Sequence, residues 1–430
     1  MLPTVPDHLR GQRAARGRPN GQVALMGRKL RTLLLSTLYP SSARPTHGIF
    51  VETRLCELLK SGALETRVVA PVPWFPFTSP RLGKYASFAA TPAYENRNGI
   101  MVSHPRYFLP PKIGMHVAPD LIARAALPVL RALQEDGFDF DLIDAHYYYP
   151  DGVAAAALAR ALDKPFIVTA RGTDLTLIPN YPRARRRILQ TAQQAAASIG
   201  VCRALMLRLA ELGADPSKLH VLRNGVDLAR FTPLPRREAR DKLALPGEAR
   251  ILLSVGHLIE LKGHHVAIEA LTLLSRDVFL VIVGTGEERA RLERLARAIG
   301  VAARVRFAGT VPQAELKWYY SAADALTLCS SREGWANVLL EAMACGTPVI
   351  ATDIWGTPEV VASPEAGCLM RERTPAALAE SFDELSGAYP ERTATRSYAE
   401  QFSWKATTAG QLELMHKIVQ AHPSAGKLPG

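Results

Sequence analysis

The feature that most constrains the fold is a regular alternation of short apolar runs with helical patterns along the 430-residue chain. One series of such pairs occupies about residues 31–223, and a second begins at RILLSVG, residues 250–256. The turn-rich segment 223–240 separates the two series. Strands that alternate with helices in this way are typical of parallel sheets covered by helices on both faces. The sequence therefore predicts an α/β protein with two doubly wound domains.

The alternation also suggests where the domains begin and end. Residues 1–25 carry four arginines among Gly, Pro, Gln and Asn, and we expect a disordered basic tail there. Met26 is a second plausible start of the chain. We predict an N-terminal Rossmann-like domain at 26–225, a C-terminal one at 226–397, and a terminal helix and tail at 398–430.

The charge of the chain is unevenly distributed. Its net charge is +12, and residues 1–220 hold 28 basic and 16 acidic residues, so the rest is neutral. Nucleic acid, an anionic membrane or a phosphorylated substrate could each explain the excess. No nucleic-acid-binding signature accompanies it, and we expect no nucleic-acid partner. The five scattered cysteines indicate reduced thiols and a cytoplasmic protein, without a zinc site.

The most informative segment is SSREGWANVLLEAMACGTPVIATDIWGTPEVV, residues 330–360. Trp335 to Ala344 predicts a helix that the following Gly and Pro end, and a short buried strand comes next. Glu333 then lies in the loop before the helix, and Glu341 lies about two turns inside it. A helix start can hold an anion, and carboxylates can bind sugar or ribose hydroxyls. The pattern indicates a nucleotide-sugar site, although two solvated charges on a helix would share the spacing.

This segment resembles the EX7E element of retaining GT-B glycosyltransferases, the family of sucrose synthase and bacterial mannosyltransferases. RPTHGIFVETRL, residues 44–55, is similar to the form found in bacterial exopolysaccharide and teichuronic-acid-type transferases. The resemblance implies a GT-B fold, with two Rossmann-like domains facing a cleft and a terminal helix that crosses back to the first domain. It also implies a nucleoside-diphosphate sugar as donor, with no bound cofactor or metal.

The resemblance implies specific donor-site residues in the second half. Lys262 would hold the diphosphate, Glu333 the donor sugar and Glu341 the ribose, and Val311 would contact the base. The family usually has Arg where this chain has His257. Backbone groups of the loop and helix start would complete the site, namely Gly334, Trp335, Ala336, Asn337 and Val338. Taken alone, Lys262 could also be an exposed lysine at a helix start.

Candidate residues in the first half follow predicted strands, where open α/β sheets bind ligands. Arg44 and His47 could reach an acceptor or a donor phosphate, and Gly48 permits close backbone approach. We predict that His146 takes part in catalysis and that Asp174 binds the acceptor. Relatives usually have a donor-contacting His where this chain has Arg171. That Arg could instead hold an acceptor phosphate or the donor diphosphate.

The resemblance implies a retaining glycosyltransferase that acts on a lipid-linked or polysaccharide acceptor in bacterial cell-surface polysaccharide synthesis. The loop Trp74–Phe77 could associate with a membrane interface or pack on its own domain, and the cluster Arg183–Arg187 could contact anionic headgroups or form a solvated helix face. The membrane contacts would give a peripheral location at the inner face of an anionic membrane. A GT-B sugar-nucleotide epimerase and a non-enzymatic glycan-binding scaffold are the alternatives.

Overall fold

The structure, a computed structural model, describes residues 28–110 and 113–422, so the predicted tail at 1–25 lies outside it. The described chain divides into two compact units. Unit 1 comprises residues 28–222 and 408–422, and unit 2 comprises residues 223–407. The sequence placed these boundaries at 225/226 and 397/398, three and ten residues away from those of the structure.

Unit 1 contains an eight-stranded sheet and a separate two-stranded ladder. Its strands are β1 Leu30–Leu35, β2 Leu64–Val69, β3 Val72–Pro73, β4 Tyr94–Arg97, β5 Ile100–Ser103, β6 Arg106–Tyr107, β7 Leu142–His146, β8 Phe166–Ala170, β9 Ala197–Gly200 and β10 Leu219–Val221. Its helices are α1 Ile49–Lys60, α2 Lys84–Ala90, α3 Gly114–Glu135, α4 Val153–Leu162, α5 Thr173–Thr176, α6 Pro182–Gln194 and α7 Arg203–Glu211.

The strand order of unit 1 determines where its loops meet. The sheet runs β10-β9-β8-β7-β1-β2-β5-β4, with every pair parallel except β4 and β5. β1 lies between β2 and β7, with Leu34 opposite both Val68 and Asp144. The strand order reverses at β1 and β7, and the carboxyl ends of such neighbouring strands form the crevice where doubly wound sheets bind ligands.

Unit 2 has one sheet of six parallel strands, in the order β13-β12-β11-β14-β15-β16. The strands are β11 Arg250–Val255, β12 Val278–Val283, β13 Val305–Gly309, β14 Ala325–Leu328, β15 Val349–Thr352 and β16 Gly367–Met370. The helices are α8 Arg236–Lys242, α9 His264–Ala270, α10 Arg289–Ala298, α11 Leu316–Ala322, α12 Asn337–Ala344, α13 Thr357–Val360, α14 Pro375–Gly387 and α15 Arg392–Glu400. Here the order reverses between β11 and β14.

The last helix, α16 Trp404–Ala421, starts in unit 2 and belongs to unit 1 from Thr408 onward. Met415 and Val419 on this helix join the apolar core formed by Leu30, Leu142 and Ile167 of the unit 1 sheet. A separate core in unit 2 packs α9, α10 and α14 on the sheet. Within residues 28–110 and 113–422, no helix is both long and apolar enough to cross a membrane.

The predicted helix from Trp335 to Ala344 needs correction. Ala336 has extended backbone, with φ −84° and ψ 92°, and α12 begins only at Asn337. Glu341 therefore lies just over one turn inside the helix rather than two. The end of this helix is as predicted, because Gly346 adopts a left-handed φ of 74°.

Candidate functional site

An ion pair lies where the strand order of unit 2 reverses. Lys262 follows β11, and Glu333 follows β14, the adjacent strand of the sheet. The Lys262 Nζ atom lies 2.6 Å from Glu333 Oε1. Ser330 Oγ donates a second hydrogen bond to the same carboxylate oxygen, also at 2.6 Å. The fold thus joins two residues that are 71 positions apart in sequence and keeps both partly accessible.

Glycine allows these two loops to approach each other closely. Gly263 has a φ of 70°, and a Cβ atom there would lie 2.0 Å from the Cys329 carbonyl oxygen. The Ser331 N–H donates to the Leu261 carbonyl at 2.9 Å, which fixes the loop after β14 against the loop after β11. Any side chain at position 263 would force these loops apart, so the glycine is needed to bring Lys262 to Glu333.

The loop Gly334–Ala336 leads from Glu333 into α12. Trp335 is buried, and its ring packs against Phe402 with a centroid separation of 6.0 Å. Asn337 Oδ1 accepts a hydrogen bond from Asn224 at 3.2 Å. These contacts hold the segment that leads from Glu333 into α12, whose first backbone N–H groups lack intrahelical acceptors. Such a helix start favours an anion.

Glu341 lies within α12, and its carboxylate accepts a hydrogen bond from Tyr320 on α11 at 2.7 Å. Burial raises the pKa of Glu341, and hydrogen bonds from Tyr320 and Gln313, together with the charge of Arg230, oppose that shift. Arg230 also donates to Gln313 at 2.6 Å. Sequence reasoning missed Tyr320, Gln313 and Arg230, which precede α12 and carry no motif.

His257 and Val311 occupy loops at the same edge of the sheet. The His257 side chain is exposed, while its backbone carbonyl lies 3.3 Å from Nε2 of the buried His264. Val311 is partly buried and follows β13, two residues before Gln313. The predicted donor residues of unit 2 thus lie on loops that follow β11, β13 and β14 and within the helix α12.

In unit 1, Gly48 serves the backbone. Its φ is 68°, and a Cβ atom there would lie 2.2 Å from the Leu38 carbonyl oxygen. Arg44 is partly buried, with its guanidinium 5.0 Å from the Phe88 ring centroid. His47 Nε2 lies 3.1 Å from the Thr37 carbonyl oxygen, and burial lowers its pKa. The loop after β1 therefore packs closely against its own unit.

His146 and Arg171 meet in the structure and form part of a buried network. Arg171 hydrogen-bonds His146 Nδ1, and Asp144 Oδ2 lies 3.4 Å from His146 Nε2. Gln411 of α16 donates to Asp144 at 3.1 Å and accepts from buried Arg54 at 2.7 Å. Burial lowers the pKa of His146 to about 4, with Asp144 opposing the shift and Arg171 adding to it.

Asp174 is fully buried and does not offer a free carboxylate to a ligand. It accepts backbone N–H bonds from Tyr148 at 2.9 Å, Gly172 at 2.7 Å and Arg171 at 3.1 Å. We therefore reinterpret it as a residue that fixes the two loops carrying His146 and Arg171, rather than one that binds the acceptor. Its burial could not be read from the segment TARGTD, residues 169–174, which contains it.

Sequence reasoning also missed Asp151. Its carboxylate accepts from the Thr37 N–H at 2.8 Å, from Thr37 Oγ1 at 3.0 Å and from Ser36 Oγ at 3.3 Å. These bonds join the loops after β1 and β7. Burial raises the pKa of Asp151 to about 7.

Among the residues that the structure describes, no three His, Cys, Asp or Glu side chains group as metal ligands.

Comparison with known proteins decides the family. The model for glycosyl transferases group 1 matches residues 235–402, and that for glycosyltransferase family 4 matches residues 62–230. TuaC of Bacillus subtilis, a glycosyltransferase named for teichuronic acid biosynthesis, is 31% identical over 406 residues, covering 93% of this chain and 96% of TuaC. The chain belongs to the group 1 glycosyltransferases.

Other relatives agree with that assignment. A D-inositol 3-phosphate glycosyltransferase of Corynebacterium urealyticum is 32% identical over 335 residues, 72% of this chain and 78% of the relative. Sucrose-phosphate synthase of Thermosynechococcus elongatus superposes with a TM-score of 0.76 at 21% identity, covering 92% of this chain and 100% of that one. Anabaena HepE, in complex with UDP and glucose, superposes with a TM-score of 0.70 at 20% identity, covering 90% of this chain and 100% of that one. These structures confirm the predicted GT-B fold.

Proposed function

We propose that this glycosyltransferase moves a sugar from a nucleoside-diphosphate sugar to a hydroxyl of a lipid-linked or polysaccharide acceptor, with retention of configuration and without a bound metal. The observation that carries the proposal is the Lys262–Glu333 pair, with an Nζ–Oε1 distance of 2.6 Å, in which Glu333 lies on the loop that leads into α12. The likeness to TuaC supports an acceptor of bacterial cell-surface polysaccharide synthesis. The UDP and glucose bound to HepE support a nucleotide-sugar donor.

The diphosphate would be held by fixed positive groups. Lys262 supplies a point charge, and the first N–H groups of α12 supply oriented dipoles. His257, exposed on the same loop as Lys262, donates a further hydrogen bond. Such groups stabilise the charge that develops on the leaving diphosphate.

The two glutamates would bind hydroxyl groups at opposite ends of the donor. Glu333, oriented by Lys262 and Ser330, accepts hydrogen bonds from the transferred sugar. Glu341, oriented by Tyr320, accepts from the ribose hydroxyls. Backbone groups near Val311 contact the base.

Unit 1 would supply the acceptor contacts. Arg44 and His47, on the loop after β1, contact the acceptor or a phosphate on it. Arg171 holds a phosphate of the acceptor or the donor. His146, Asp174 and Gly48 position these groups through buried contacts.

In the proposed reaction, the acceptor oxygen forms a bond to the anomeric carbon on the face from which the diphosphate departs. The bond between that carbon and the diphosphate oxygen breaks, and its electron pair stays with the diphosphate. The acceptor's proton passes to a phosphate oxygen of the leaving group. No additional reactant is needed.

The experiment incubates the full chain with a panel of nucleotide sugars, with and without cell-surface polysaccharide acceptors, and measures nucleoside diphosphate release. Proton NMR then assigns the anomeric configuration of the product. We expect release with at least one donor, product of unchanged configuration, and full activity in EDTA. Inverted product would refute retention, and metal-reversible loss in EDTA would refute the metal-free mechanism. Epimerised nucleotide sugar, or no turnover with any donor, would favour an epimerase or a scaffold.

A further inference from the structure

Unit 1 carries a concentration of exposed apolar side chains that the proposed chemistry does not use. Of twelve large hydrophobic residues exposed in the described part of the chain, seven lie within residues 74–85 and 108–113. Trp74 is 53% exposed, and Phe77 and Phe108 are each 60% exposed. We call six of these side chains the apolar patch: Trp74, Phe77, Tyr85, Phe108, Leu109 and Ile113.

Backbone and ring contacts join the patch into one surface. β3 and β6 are parallel, and the Trp74 N–H donates to the Tyr107 carbonyl at 2.7 Å, so Trp74 and Phe108 leave the same end of this ladder. The Phe75 ring contacts Tyr85 at 5.2 Å and Phe77 at 6.0 Å between centroids. Exposed apolar surface on this scale marks an interaction site more often than scattered single residues do.

The patch continues to the start of α3. Leu109 lies against Gly114, the first residue of α3, where an added Cβ would be 2.9 Å from a Leu109 methyl carbon. Ile113 is the N-cap of this helix and is 55% exposed. Apolar side chains therefore surround the N-terminal end of α3.

Arginines of α6 flank the same end of α3. Arg187 forms two hydrogen bonds to Asp120 of α3, at 2.6 and 2.9 Å, which hold α6 beside it. The preceding Arg183, Arg185 and Arg186 are exposed on α6. None of these three forms an ion pair with a carboxylate among the described residues. We call them the arginine cluster.

We propose that the apolar patch and the arginine cluster together dock unit 1 onto an anionic lipid bilayer. Trp, Tyr and Phe side chains suit the interface between headgroups and acyl chains, and arginines suit anionic headgroups. The positive charge favours a lipid surface over a second copy of this chain, because two identical faces would bring like charges together. This docking deepens the proposed function, since it places the enzyme beside a lipid-linked acceptor.

The test measures sedimentation of the full chain with vesicles of neutral phosphatidylcholine, or of phosphatidylcholine with phosphatidylglycerol, in the absence of donor and acceptor. A negative result here is thus separable from failure of glycosyl transfer. We expect binding to anionic vesicles that weakens as salt rises, since exposed charges are screened over about 8 Å at physiological ionic strength.

Two variants divide the surface into its parts. The arginine variant, Arg183→Ser with Arg185→Ser and Arg186→Ser, should lose about fivefold for each arginine, on the order of 100-fold in total. The apolar variant, Trp74→Ser with Phe77→Ser and Phe108→Ser, should lose tenfold or more. Matched controls in unit 2 are Arg237→Ser with Arg294→Ser and Arg297→Ser, and Leu273→Ser; all four positions are exposed.

The controls should bind as wild type, and every variant should keep its melting temperature because the changed side chains are exposed. Equal binding by the surface variants and their controls would overturn the proposal. So would loss of binding only on removal of residues 1–25. Light scattering that shows a dimer abolished by the apolar variant, without vesicle binding, would assign the surface to a second copy instead.

Discussion

In each unit the strand order of the sheet reverses at one point, but the polar residues at that point are partly exposed in unit 2 and buried in unit 1. In unit 2, Lys262 and Glu333 are partly exposed and meet across loops after β11 and β14. In unit 1, His146 and Asp151 are buried, and they bond the loops after β1, β7 and β8 to one another. The same kind of sheet therefore carries partly exposed charged groups in unit 2 and buried groups that fix loop positions in unit 1.

The electrostatic consequences differ accordingly. Burial lowers the pKa of Arg171 to about 9 and that of His146 to about 4, and it raises the pKa of Asp151 to about 7. Charged forms are costly in unit 1 because water has been replaced by protein. Lys262 keeps a quarter of its side chain exposed and can approach a diphosphate without breaking a buried network. Variants in each unit should therefore change different quantities.

The largest effect is expected from Lys262→Gln. Removing a group that stabilises developing charge typically costs about 10²–10³-fold in kcat. The melting temperature should change little, because the lysine is partly exposed. Lys405→Gln, at an exposed position of unit 2, is the matched control. Initial rates of nucleoside diphosphate release provide the measurement, and retention of wild-type kcat would remove Lys262 from the mechanism.

The next effect concerns the stability of unit 1. The pKa of His146 is lowered from 6.5 to about 4, so between these pH values the unfolded chain binds a proton that the folded protein does not. The free energy of unfolding should therefore fall as pH drops through this window, by up to about 3 kcal/mol at about 1.4 kcal/mol per pKa unit.

His146→Gln should flatten that dependence, whereas His116→Gln, at an exposed position of the same unit, should not. Urea unfolding at pH 4.5 to 7.5 measures it. The raised pKa of Asp151 acts in the opposite direction, since stability falls as pH rises from about 4 to about 7. The difference in pH dependence between wild type and His146→Gln gives the contribution of His146 alone. An unchanged slope would mean that the ring is protonated in the fold.

A smaller change is expected when Glu341 loses its phenol partner. Tyr320→Phe removes the 2.7 Å hydrogen bond and should weaken donor affinity by about 1 kcal/mol, or roughly fivefold. The neighbouring Tyr319→Phe is the control. Isothermal titration calorimetry with the preferred donor measures the donor affinity of both variants. Equal affinities for the two variants would show that Tyr320 does not orient the carboxylate.

The smallest effect should come from His257→Arg, which introduces the residue that relatives usually have. His257 is exposed, so the longer side chain can be accommodated without repacking. We expect donor affinity to stay the same or rise by less than about tenfold, from one added charge-assisted hydrogen bond. Loss of activity in a folded variant would give His257 a specific role of its own.

The sequence predicted the local surroundings of the candidate residues better in unit 2 than in unit 1, for a physical reason. Glu333 and Glu341 share one continuous segment, and local helix signals place both of them. The ion pair with Lys262 depends on β11 and β14 being neighbours, and alternation alone does not reveal strand order. Tyr320 was missed because its partner lies 21 residues away on another helix.

In unit 1 the motif positions were found, but their burial was not. His146 ends β7 and Asp174 follows β8, at the carboxyl ends of strands as predicted, yet Gln411 of α16 and Arg54 of α1 complete the network around His146. Gln411 is 357 residues from Arg54, and neither residue stands in a recognisable motif. Helix propensity also could not predict the extended backbone of Ala336, which places the start of α12 at Asn337. The contacts of Trp335 with Phe402 and of Asn337 with Asn224 hold that segment instead.

We propose that unit 2 binds the donor, while the buried groups of unit 1 hold the loops of unit 1 in place. Calorimetric titration of nucleoside-diphosphate sugars into Glu341→Gln and His146→Gln tests this claim most directly. We predict that Glu341→Gln loses about 1.5–3 kcal/mol of donor binding, the value of a hydrogen bond to a charged group, whereas His146→Gln binds as wild type at pH 7.5. Wild-type affinity in Glu341→Gln, with weakened binding in folded His146→Gln, would contradict the account.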